Sequence, residues 1–221
     1  MSEDLFESIS NPRLKALAQL GTVRKYKKNS VLIEEGDIGN SIYILLQGRI
    51  KAFSRSPEWQ DKEVTYGVYG AGDLLGEMSL DGRPRSANVS TIEPSVCSVV
   101  SKEALKQYIA QEPEFAFDLL GIVIERARHA TMAVRSMVMH DTYGRLRDLL
   151  GNQVANSTPE IHGTQEIRAF ANKISHQELA NQIGCSREMV SRLLKDLEKG
   201  GYITQTLDKR IAIVKPLPSK W

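Results

Sequence analysis

The 221-residue sequence has no apolar run approaching the ~18–20 residues that a membrane-spanning helix needs. Its two cysteines, Cys97 and Cys185, lie far apart. No CxxC or Cys/His cluster is present, which argues against a zinc or iron–sulfur site. The four histidines (His129, His140, His162, His176) are scattered, and none has HExxH spacing. Neither GxSxG nor GxxxxGK[ST] occurs, so no catalytic residue and no metal ligand is expected, and the chain does not read as an enzyme. The first ten residues are acidic and lack the basic-then-apolar layout of a secretory signal, so a cytoplasmic location is expected. The formal net charge is only +2, which taken whole argues against a strongly basic nucleic-acid binder. With 41% hydrophobic and 25% charged residues, the composition is that of an ordinary globular protein of one large or two small domains.

What is present falls into three textures. After a short helical pattern around Leu14, Leu17, Ala18 and Leu20, close glycine punctuation separates short apolar runs: Val31–Ile33, Ser41–Leu46, Arg49–Phe53, Val64–Val68, Ala87–Thr91 and Val96–Val100. That rhythm predicts a β-sandwich or barrel. Residues 101–111 follow as a short helix capped by Ser101. Pro113 then opens a helix running to about His140, roughly 40 Å at 1.5 Å per residue. In it Phe117, Leu120, Ile124, Ala127, Thr131, Val134 and Val138 alternate at spacings of 3 and 4, a heptad seam. The seam suits a parallel two-helix dimer; the alternative is a helix packed lengthwise on its own β-domain. Phe115, Leu119, Ile122, Val123 and Met132 flank the seam and are expected to face that β-domain.

The third texture begins at Asp141. A helix over Asp141–Leu150 precedes a polar stretch with one strand near Gln165–Phe170, and Tyr202–Val214 reads as two strands about a Leu207–Arg210 turn. Between them, Ser175 and Glu178 form a capping box, Leu179, Ala180 and Ile183 give a buried face, and Gly184 stops the first helix. Ser186 caps a second helix, with Val190, Leu193, Leu194 and Leu197 inward. This is a helix-turn-helix, and the hairpin after it makes a winged one. Arg187, Glu188, Ser191, Arg192 and Lys195 face outward on the half that enters a major groove, where arginine suits guanine and glutamate suits cytosine.

The stretch GCSREMVSRLLKDLEKGGYI resembles the recognition segment of the cyclic-AMP receptor protein / fumarate-nitrate regulator superfamily of bacterial transcription regulators. The resemblance covers nearly the whole chain. It implies an α+β protein: a cyclic-nucleotide-binding β-roll over 1–112, a dimerisation helix over 113–140 and a winged helix-turn-helix over 141–221, with the hinge at Asp141. It also implies a homodimer on palindromic, TGTGA-like double-stranded DNA, with Ser186, Arg187, Glu188, Ser191, Arg192 and Lys195 at the interface. Gly76–Glu77–Met78–Ser79 and Arg85–Ser86–Ala87 resemble the family's phosphate-binding cassette, with Glu77 on a ribose 2′-hydroxyl and Arg85 with Ser86 on the phosphate. Thr131 aligns with a hydroxyl that reaches the base across the dimer; its neighbour Ala130 has lost the family's other hydroxyl. The effector implied is cyclic AMP, with cyclic di-GMP next because Arg83 adds a second cation. RNA polymerase is an implied partner, through the loop 156–164.

Three alternatives stay open. Glu77 and Arg85 could form a salt bridge in an empty roll, leaving a constitutive DNA-binding regulator. The β-roll could instead dock a protein, or the chain could gate an enzyme as a regulatory subunit. Charge is divided: residues 141–221 hold twelve Lys and Arg against nine Asp and Glu, so they carry +3 and the rest −1. Six of those twelve cations (Arg187, Arg192, Lys195, Lys199, Lys209, Arg210) are expected at the DNA surface.

Overall fold

A computed structural model describes residues 4–58, 63–155, 157, 159–162 and 165–220. The chain divides into two compact units, Met1–Arg128 and His129–Trp221. Among the described residues no helix is long and apolar enough to cross a membrane.

The first unit begins with a 3-10 turn, Asp4–Phe6, and helix α1, Pro12–Gln19, whose first turn is capped by the Asn11 side chain. Eight strands follow: β1 Thr22–Tyr26, β2 Val31–Ile33, β3 Ser41–Gln47, β4 Ile50–Arg55, β5 Glu63–Tyr69, β6 Leu74–Leu75, β7 Asn88–Thr91 and β8 Ser95–Ser101. They form two antiparallel four-stranded sheets, ordered β1-β8-β3-β6 and β2-β7-β4-β5. Strand β3 is buried at four of its seven positions (Ile42, Ile44, Leu45, Leu46), which is why its centre reads as an apolar run. Strand β1 is exposed at four of five positions and shows no apolar alternation, so the sequence conceals it. Helix α2, Lys102–Gln111, is capped by Ser101 as expected, its hydroxyl accepting from the Ala104 N–H.

Helix α3 spans Glu114–Met139, starting just after Pro113. Three contacts tie its first half to the β-roll. Phe115 is fully buried among Leu14, Leu105 and Tyr108. Asp118 accepts a fork from Arg13 (2.7 and 3.0 Å) and a bond from Asn11. Arg126 reaches the cassette described below. Leu119 and Ile122 pack on the same core as expected. Val123 does not: it is 41% exposed, and Met132, on the second unit's part of the helix, is exposed as well. The seam residues Phe117 (69% exposed), Leu120, Ile124, Val134 and Val138 (77%) form an uncovered apolar row.

In the second unit α4, Thr142–Ala155, runs five residues beyond the expected helix, because Val154 still lies inward beside Leu146 and Leu150. The polar stretch holds a hairpin rather than a single strand: β9 Glu160–His162 pairs with β10 Gln165–Ala169. Helices α5, His176–Ile183, and α6, Arg187–Lys199, follow, then β11 Ile203–Gln205 and β12 Ile211–Ile213, giving a sheet ordered β11-β12-β10-β9. One core, from Tyr143 through Leu179 and Leu194 to Ile211, joins both helices to the hairpin.

Candidate effector pocket and DNA-reading surface

In the first unit the cassette is built around a left-handed glycine. Gly76 has φ +91°, which turns the chain from β6 into a single 3-10 turn over Glu77–Ser79. The Ser79 hydroxyl donates back to the Gly76 carbonyl. The Arg85 backbone is fixed at both ends, its N–H donating to Asp37 O and its carbonyl accepting from Gly36 N. Its guanidinium is buried and donates to Gly76 O (2.8 Å) and Ser41 O (2.6 Å). A Cβ at Gly39 would collide with Arg85 Nε and Nη2, so the guanidinium occupies the space a side chain would take there. Burial lowers the guanidinium's pKa, while Tyr43 and Glu77 oppose that shift.

Glu77 does not pair with Arg85, contrary to the salt bridge considered from sequence. Its carboxylate, 2% exposed, forms a close ion pair with Arg126 of α3. Arg126 also donates to Leu74 O and lies 5.1 Å from the Tyr69 ring centroid. Burial raises the Tyr69 phenol's pKa and Arg126 opposes it. The structure thus brings Gly76, Glu77, Ser79 and Arg85 together. Met78 and Ser86 are exposed beside each other, with Ser86 Oγ 3.4 Å from Met78 Sδ, and Ala87 is half-buried. Arg83 faces solvent with Asp81 and does not join Arg85. Thr131 lies on the part of α3 that belongs to the second unit and is exposed. Sequence reasoning missed Arg126, Gly39 and Ser41. Arg126 carried one usable signal: it stands four residues before Ala130, on the same helix face.

In the second unit the helix-turn-helix follows its expected punctuation. Ser175 and Glu178 make the reciprocal capping box, with bonds of 3.1 and 2.7 Å. Gly184 adopts the left-handed conformation, φ +65°. The Ser186 side chain accepts from Met189 N, so this candidate DNA contact is first an N-cap. Arg187, Glu188, Arg192 and Lys195 are exposed on α6, opposite buried Val190, Leu193, Leu194 and Leu197. Ser191 is half-buried, and its hydroxyl meets His176 Nδ1 at 2.8 Å. Cys185 is half-buried against the core, and burial raises its thiol's pKa. Arg145 was not singled out from sequence; it donates to Ile183 O at the end of α5 and to His140 O at the hinge.

One cation expected at the DNA surface is engaged elsewhere. Arg210 forks onto Glu160 (3.0 and 3.1 Å) and donates to Asp208 and to Phe170 O. Glu160 stands fifty residues away in sequence, so the pairing has no local signature. The loop assigned to RNA polymerase contains strand β9, while its residues 156, 158, 163 and 164 lie outside the described residues.

Residues 23–112 match the family model for the cyclic nucleotide-binding domain, and residues 173–203 match that for bacterial regulatory proteins, crp family. A CRP-like cAMP-activated global transcriptional regulator of Mycobacterium tuberculosis is 28% identical over 203 residues, covering 90% of this chain and 87% of the relative. The cAMP-activated global transcriptional regulator CRP of Haemophilus influenzae is 29% identical over 183 residues, covering 82% and 79%. The c-di-GMP responsive global regulator CLP of Xanthomonas campestris shares the fold, with a TM-score of 0.76 at 21% identity over 92% of this chain and 98% of that one. With a sensor domain and a reader domain each matched, and relatives that span both, the chain is similar along most of its length to the cyclic-AMP receptor protein / fumarate-nitrate regulator superfamily, whose matched members are transcription regulators rather than enzymes.

Proposed function

We propose that the chain is a cytoplasmic homodimer, joined along α3, that binds a cyclic nucleotide and thereby positions two α6 helices on a palindromic, TGTGA-like site. Cyclic AMP ranks first as effector and cyclic di-GMP second. The observation that carries this reading is the presence of two buried, oppositely charged groups at the Gly76 turn, Arg85 and Glu77, that are not bonded to each other. Arg85 offers a forked cation to a phosphodiester, and Glu77 offers an acceptor to a ribose hydroxyl. The second-ranked effector has lost some support, since Arg83 is turned away from Arg85. Thr131 as a base contact, and RNA polymerase as a partner, remain parts of the proposal.

Arg126 supplies the coupling. It joins the cassette's Glu77 carboxylate to α3, so a ligand hydroxyl that takes up Glu77 also changes what holds the helix. The effector shifts the equilibrium between DNA-binding states only by its difference in affinity for them. A row of exposed apolar residues along α3 supports the dimer seam.

The test is calorimetry with each nucleotide, joined to a DNA-binding titration, on the wild type and Arg85→Leu. Loss of two charge-assisted hydrogen bonds, each about 1.5–3 kcal/mol, predicts at least a ~100-fold weaker effector. Unchanged effector affinity in Arg85→Leu overturns the pocket assignment. A second reading, the constitutive regulator, is favoured by one observation. Arg85 and Glu77 are already partnered by Gly76, Ser41 and Arg126, so the roll is self-sufficient. Its signature is DNA affinity that neither nucleotide moves.

A further inference from the structure

Ser191 sits in the middle of the outward face of α6, between Arg187 and Lys195, yet its hydroxyl is held by a residue of the other helix. His176, the first residue of α5, places Nδ1 2.8 Å from Ser191 Oγ. Both side chains are half-buried and line a cavity of about 210 Å³ between α6 and the wing. A hydroxyl has one proton and two lone pairs, so what Nδ1 does with it fixes what is left for a third partner.

We infer that His176 is a positioning residue that sets the hydrogen-bonding polarity Ser191 presents to a DNA base. This inference rests on the reading of α6 as the recognition helix. When Nδ1 is unprotonated it accepts the Ser191 O–H, and the serine faces the groove as an acceptor, suited to adenine N6 or cytosine N4. When Nδ1 carries a proton it donates to Oγ, and the freed O–H suits guanine O6 or thymine O4. Imidazole is the side chain whose charge changes across pH ~5–8, so the polarity is open to pH. The charged groups that line the cavity with the ring are Lys195 and Glu198 on α6, of opposite sign; Glu178, two residues further along α5, has its carboxylate held by Ser175 N. The wing contributes Thr204 and Gln205, which are neutral.

The experiment is binding-site selection from randomised half-sites with the full chain, with cyclic AMP present and absent, at pH ~8 and pH ~5.5. Wild type is expected to shift preference at one base pair per half-site by about three- to tenfold, the size of one net hydrogen bond. The shift runs from adenine or cytosine toward guanine or thymine as pH falls. Ser191→Ala and His176→Gln, which has no titrating group, should each lose the shift and still bind. A pH-invariant wild-type preference, or a shift that survives in either variant, overturns the inference. Glu188→Ala separates the two layers: if it changes base preference while pH does not, only the role of His176 falls. If it changes nothing, the reading of α6 falls with it.

Discussion

The two functional regions hold their charges in opposite ways. In the cassette, Glu77 and Arg85 are buried and committed, to Arg126 and to two backbone carbonyls. On α6, Arg187, Glu188 and Lys195 stand in solvent. A buried charge must be paired before any ligand comes, so on the proposed reading the cassette would exchange partners when an effector binds. An exposed charge needs no partner, so the reader orders its side chains only on contact. The proposed effector residues would therefore serve fold and function together, while the proposed DNA-reading residues would serve function alone. Ser191 is the exception on the reading face, because it is held from within.

That contrast predicts a graded set of effects. Arg126→Leu should be the most damaging, since it strands the buried Glu77 carboxylate; denaturant unfolding should show a loss of about 3–5 kcal/mol. Adding Glu77→Gln should recover most of it, and a double variant no better than the single one breaks the contrast on the sensor side. Glu188→Ala should leave stability within about 0.5 kcal/mol, as surface changes do. In site selection the same variant should lose about 1–3 kcal/mol of discrimination at one base pair. A large stability loss there would mean that α6 is committed too. The smallest effect is expected outside both sites, at Asp118. The Arg13 fork holds its carboxyl below the usual carboxylate range, and Asn11 assists. A depressed folded-state pKa gives stability that is present above the ordinary value of about 3.9 and is lost as pH falls below it. Acid unfolding of Asp118→Asn should accordingly be shallower than that of wild type in that range.

Periodicity and caps were legible in the sequence wherever the signal was local. The seam of α3, the Ser175 box, Gly184 and the Ser101 and Ser186 caps all lie within a few residues of what they organise. Strand β1 was hidden because its exposed positions carry no alternation, and β6 because two residues have no period. The partners of Glu77, Arg210 and Ser191 were hidden for another reason: an ion pair leaves no pattern in the intervening chain. Arg126 on a polar helix face reads like any solvated arginine, and only the packing of α3 on the roll shows where its guanidinium goes.

Gly39 touches no proposed ligand atom, yet Arg85 can lie where it does only because that residue has no side chain. Most single-base changes in a glycine codon introduce one. If Arg85 holds the effector as proposed, sensing would be exposed to genetic loss at a position that an inventory of ligand contacts would pass over. A homologue that keeps every cassette residue but bears alanine at this point would have to move its Arg85 guanidinium, and on the proposed reading would respond more weakly to its effector.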